Sequence, residues 1–206
     1  DYGVNPAVIF THPEINTEGR VGMMENRYAR GYWGLWDKLI DRYPDMMIDD
    51  CAAGGGRNDI DSMRRAVPLH KTDHDYSRQD DKQSMHQSLF GWLPYFGACM
   101  VGPDKCSEVN PYMIQSTYAP WVALCANVYA EDYDWESLRR YTQLWQELNP
   151  YYTADYYPLT AWSRGDKAWR GWEFFDPKTE SGFLQLFRPA NASEQRRAVR
   201  LKGLCE

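Results

Sequence analysis

The sequence predicts an α/β chain built on parallel strands, followed by an antiparallel β region. Three observations carry that prediction. Up to residue 150, short apolar runs alternate with segments of helical periodicity across short links. After Pro150 the helical texture gives way to short strand-like runs separated by turn sequences. Two successive apolar runs within IDDCAAGGGRNDIDSMRRAVPLHKTDHD, residues 48–75, end in acids, a cysteine, glycines and an arginine. The C-terminal ends of parallel strands are where α/β proteins hold their ligands.

The elements follow in order. Residues 22–43 place Tyr28, Tyr32, Leu35, Trp36, Leu39, Ile40 and Tyr43 at helical spacing on one apolar face, and Pro44 ends the helix. Met46, Met47 and Ile48 make a short buried strand. Residues 58–66 form a short helix with Asn58 as its cap, and residues 67–69 open another strand. Helices are expected over 83–93 and 110–129, and an amphipathic helix over 136–148. Strands are expected over 156–160, 168–175, 182–187 and 197–201, with DPKTESG and PANASEQ as turns. Asn191-Ala192-Ser193 has the form of a glycosylation acceptor, a triplet that is common by chance.

Composition narrows the function. The chain has 206 residues, enough for one domain or one and a fraction, and its 43% hydrophobic content supports a core. A net charge of −6 argues against nucleic acid, whose backbone wants a basic face. Aromatic residues reach 15%, with Trp and Tyr dominant, which suits rings facing sugars or an interface. The cysteines, Cys51, Cys99, Cys106, Cys125 and Cys205, are odd in number and contain no CxxC pair. Free thiols are expected, not a disulfide framework or a structural zinc site. No apolar run reaches the roughly 18 residues of a membrane span, and no signal peptide is visible. The chain starts at Asp1 without Met and reads as a fragment, which leaves localisation undetermined.

Acids end three successive strand candidates: Asp1 in DYGVNP, Asp49 and Asp50 before Cys51, and the cluster from His70 to Asp75. Capping of the next helix is the plain explanation for any one Asp. It leaves Cys51 and GGGR unexplained, where glycines let a backbone approach a ligand and Arg57 can hold a hydroxyl or an acid.

CAAGGGRND (residues 51–59), VPLHKTDHD (67–75) and DYGVNP (1–6) together resemble segments of the bacterial α-galactosidases, or melibiases, of glycoside hydrolase family 36. GYWGLWDKLIDRYPDMMID, GWEFFDP and SGFLQLFR extend the resemblance over most of the chain. It implies the C-terminal half of a (β/α)8 barrel over 1–150 and the start of an antiparallel β-sandwich domain over 151–206. It implies retaining hydrolysis of terminal α-galactosides, with Asp1 as nucleophile and Asp73 as general acid/base. That chemistry needs two carboxylates of unequal pKa, roughly 5–5.5 Å apart. Cys51, Gly54 and Arg57 would line the sugar pocket. No cofactor and no metal are implied. The expected partner is an oligosaccharide or glycoconjugate, not nucleic acid or membrane, with a homo-oligomer expected for the full-length enzyme.

The chain departs from the family pattern at three places. Gly3 stands where an Asn contacts the sugar 2-position, although Asn5 lies close by. His70 replaces a Trp three residues before the acid/base, and Thr72 replaces a Ser. Gly3 therefore also admits an α-N-acetylgalactosaminidase. Two further classes stay open: a metal-dependent barrel hydrolase using His70, His74, Asp73 and Asp75, and a non-catalytic carbohydrate-binding protein. Cys51 as a plain buried thiol is the simple alternative to a pocket role.

Overall fold

The computed structural model describes residues 19–20, 22–51, 54–73, 78–101, 109–125, 129 and 131–204. The chain packs as two compact units, Asp1–Asp73 and His74–Glu206.

In the first unit helix α1, Met23–Arg42, matches the periodic segment at both ends. Glu25 in its first turn and Arg42 in its last complement the helix dipole. Tyr28, Tyr32 and Trp36 form a ladder along one face, with ring centroids 6.1 Å and 4.5 Å apart. Trp36 is buried, whereas Leu35 and Tyr43 from the expected stripe are exposed. The strands expected at 46–48 and 67–69 meet only as a parallel bridge between Asp49 and Val67. Asp50 N donates to the Val67 carbonyl and Val67 N to the Ile48 carbonyl, each at 2.9 Å. Helix α2, Ile60–Met63, is shorter than expected and its cap is Asp59, whose carboxylate accepts from Ser62 N at 2.9 Å. Asn58 does not cap it. Its side chain turns instead to the Lys71 carbonyl at 2.8 Å, holding the glycine loop to the next chain segment.

The second unit opens with α3, Gln79–Leu89, one turn earlier than expected because Arg78 is extended and Asp80 and Asp81 favour a helix start. Strands β1, Gly97–Val101, and β2, Trp121–Cys125, pair in parallel from Gly97↔Trp121 to Val101↔Cys125. The helix expected over 110–129 is α4, only Pro111–Gln115, followed by β2. Asn110 caps it from Tyr112 N and Met113 N. The Ser116 and Thr117 hydroxyls bond back to the Tyr112 and Met113 carbonyls, and Pro120 cannot continue a helix. Helix α5, Trp135–Leu148, is capped by Asp134 and runs into a 3-10 turn, Asn149–Thr153.

Strands β3, Asp155–Pro158, β4, Arg170–Asp176, and β5, Ser181–Phe187, form an antiparallel sheet in that order. Asp176 closes the β4–β5 turn by accepting from Lys178 N and the Thr179 hydroxyl. The segment 197–201 is not a strand. The residues after it, Lys202 and Gly203, donate their N–H groups to the Glu173 carboxylate.

Trp172, Phe174 and Phe187 of the sheet share one core with Phe90, Phe96, Ala98, Ile114, Tyr118 and Tyr152. Phe90 sits at its centre, with ring centroids 5.0–5.6 Å from Phe96, Tyr152, Trp172 and Phe174. Among the described residues no helix is long and apolar enough to cross a membrane.

Candidate active site

The first unit brings together the end of one strand, the glycine turn and the segment His70–Asp73. Asp49 at the bridge accepts from Leu69 N at 3.1 Å, which ties the two strand ends side by side. Cys51 follows, half-buried and free of any disulfide. Burial pushes its thiol up, and Asp49, Asp73 and Asp50 push in the same direction. A thiol held protonated is a poor nucleophile, so Cys51 suits lining a pocket better than attacking a substrate. The Asp73 charge acts on Cys51 because the fold sets these two strand ends together.

The turn itself rests on two left-handed glycines. Gly54 has φ +67°, and a Cβ there would lie 2.6 Å from Asp73 Oδ2 and 2.8 Å from its Cγ. Gly55 has φ +97°, and a Cβ there would collide with the Lys71 carbonyl oxygen. These positions need glycine twice over, for backbone conformation and for space. The bare backbone of Gly54 is therefore the surface against which the Asp73 carboxylate lies. On its other oxygen Asp73 meets His70, with Nε2 2.9 Å from Oδ1. The Asp73 side chain remains 67% exposed, open to a ligand.

Arg57 lies against α1. Its Nη1 donates to the Tyr32 hydroxyl at 2.9 Å, and its guanidinium stands 4.7 Å from the centre of that ring. Its Nη2 is buried without a hydrogen-bond partner among the described residues. Asp50 is 1% exposed, and neither carboxylate oxygen has a hydrogen-bond partner among the described residues. Burial pushes its pKa up to about 6, with the Arg57 charge opposing. The sequence marks Asp50 only as one of the strand-end acids and His70 only as a candidate metal ligand, not as a buried carboxyl and a partner of Asp73. The three-residue spacing of His70 and Asp73 was the one available signal.

Asp1, Gly3, Asn5, His74 and Asp75 lie outside the described residues. Among the described residues no group of three His, Cys, Asp or Glu side chains could hold a metal ion. What the described geometry offers is an accessible carboxylate, hydrogen-bonded to an imidazole and backed by a glycine turn. Such a group can accept from a ligand hydroxyl or exchange a proton with a ligand oxygen.

The class that the chain's similarity supports is glycosidase. A stretch of 39 residues is 46% identical to Alpha-galactosidase Mel36A of Lactobacillus acidophilus. The match covers 19% of this chain and 5% of that protein. No family model matches the chain.

Proposed function

We propose that the chain carries part of the catalytic centre of a retaining glycosidase of the family 36 type, acting on terminal α-galactosides. Asp73 is the general acid/base in this reading. It protonates the leaving oxygen, then takes the proton from the water that hydrolyses the glycosyl-enzyme. Asp1 is the nucleophile whose carboxylate forms that covalent intermediate. Cys51 and Gly54 line the sugar pocket, and Arg57 with Tyr32 holds the glycine turn that presents them. The scaffold in this reading is a (β/α)8 barrel up to residue 150 with a β-sandwich after it. The observation that carries the proposal is the contact of Gly54 with Asp73, which supports one site built from the glycine turn and an accessible carboxylate. Gly3 favours a second reading, in which space beside the sugar 2-position admits α-N-acetylgalactosaminides.

The test uses two aryl α-galactosides. One has a leaving group acidic enough to depart without a proton, such as dinitrophenol, and the other has not. Asp73→Asn should abolish turnover of the second and retain bond cleavage on the first, whereas Asp1→Asn should abolish both. Equal loss on both substrates in Asp73→Asn would remove the acid/base assignment. Absence of turnover on every α-galactoside and α-N-acetylgalactosaminide in the unaltered protein would remove the proposal itself.

A further inference from the structure

The second unit holds a cavity of about 330 Å³ walled by Arg78, Asp81, Ser84, Met85, Trp162 and Arg164. That volume falls at the small end of the roughly 300–1,000 Å³ typical of small-molecule sites. One wall is held rigidly. Trp162 Nε1 donates to the Ser84 carbonyl at 3.0 Å, and the Ser84 hydroxyl donates to the Ser163 carbonyl at 2.7 Å. The fully buried Arg170 donates Nε to the same Ser163 carbonyl at 3.2 Å and Nη2 to the Gly165 carbonyl. The backbone on both sides of Arg164 is thus pinned, and the indole is fixed through its N–H. Yet 58% of Trp162 stays exposed. A ring whose single polar atom is already tied down presents a fixed flat apolar face.

The charged groups beside that face alternate in sign. Arg78 Nε lies 2.9 Å from Asp81 Oδ2, and its Nη2 lies 3.7 Å from Asp80. Arg164 Nε stands 4.0 Å from the other Asp81 oxygen. An anion entering between the two arginines would meet the Asp81 carboxylate that already faces both of them. A hydroxyl both donates and accepts, so a row of donor, acceptor and donor suits a polyol.

We propose that this cavity is a saccharide-binding site, with one pyranose ring lying on Trp162 and its hydroxyls bridging Arg78, Asp81 and Arg164. The site uses no residue of the Asp73 centre and does not depend on the catalytic assignment.

Isothermal titration tests it, in the natural protein carrying Asp73→Asn so that no probe turns over. The probes are methyl α-D-galactopyranoside, methyl α-D-glucopyranoside and raffinose, with sodium sulfate and glucuronate as anionic comparisons. A binding event should appear that Trp162→Ala weakens by about tenfold and Trp162→Tyr restores. Arg164 is 79% exposed, so Arg164→Ala keeps the fold while weakening the same event by about tenfold. Saccharide binding unchanged in either alanine variant overturns the proposal. So does a loss that Trp162→Tyr does not restore, or tighter binding of sulfate or glucuronate than of the neutral glycosides.

Discussion

Replacing Gly54 with alanine should separate activity from stability. The new Cβ would lie 2.6 Å from Asp73 Oδ2, and ordinary contact begins near 3.4 Å, so the carboxylate must retreat by about 0.8 Å. Asp73 is 67% exposed and can swing away, which keeps the clash itself cheap. The remaining cost is the left-handed backbone at φ +67°, about 1–2 kcal/mol for a residue with a Cβ. Displacing a reacting group by about 1 Å can cost on the order of 100-fold in rate. Gly54→Ala should therefore lose roughly 10–100-fold in kcat/KM on an aryl α-galactoside while unfolding only ~1–2 kcal/mol more easily. Gly55→Ala is the control. Its Cβ meets the backbone carbonyl of Lys71, which cannot swing aside, so that variant should lose stability first. The assays are steady-state kinetics and denaturant unfolding on both variants. Turnover within about twofold of wild type in a folded Gly54→Ala protein would refute the placement of Asp73 against the turn as functional.

Asp50→Asn should raise stability at neutral pH. The folded state holds the Asp50 proton up to about pH 6, against about 4 when unfolded, so stability is full below pH ~4 and falls as pH rises through 6. The variant should gain up to about 3 kcal/mol over wild type at pH 7.5 and nothing at pH 3.5, read from denaturant midpoints; an equal difference at both pH values would contradict this. His70→Phe removes the hydrogen bond to Asp73 and should cost about 0.5–1.5 kcal/mol of transition-state stabilisation. In the Asp73→Asn background the same change should have little further effect, and full additivity would break the link. Arg170→Met strips partners from Gln83, Ser84 and the carbonyls of Ser163 and Gly165, and should cost about 3–5 kcal/mol in an unfolding titration.

Elements whose signals are local were legible in the sequence. The periodic aromatic face and Pro44 mark the helix observed at Met23–Arg42, and the amphipathic stretch marks Trp135–Leu148. The turn residues of DPKTESG join the two strands Arg170–Asp176 and Ser181–Phe187. The glycine turn was legible too, because a short motif carries its own backbone demands. Gly54 and Gly55 adopt the left-handed geometry that only glycine takes freely.

Other features depended on what the fold brings alongside. Residues 110–129 look helical, yet Trp121–Cys125 is a strand because its edge bonds lie next to Gly97–Val101, a partner more than twenty residues away. Asn58 looks like a cap, yet it reaches the Lys71 carbonyl because the turn folds back on that segment. The burial of Asp50 and the Arg57 guanidinium over the Tyr32 ring have no local mark at all. By itself the sequence determined the helices at residues 23–42 and 135–148, the β4–β5 hairpin and the glycine turn, since caps, periodicity and backbone sterics act over a few residues. Only the tertiary structure decided which acid is buried, which is exposed, and which side chain meets which. Desolvation and contact are set by neighbours distant in sequence.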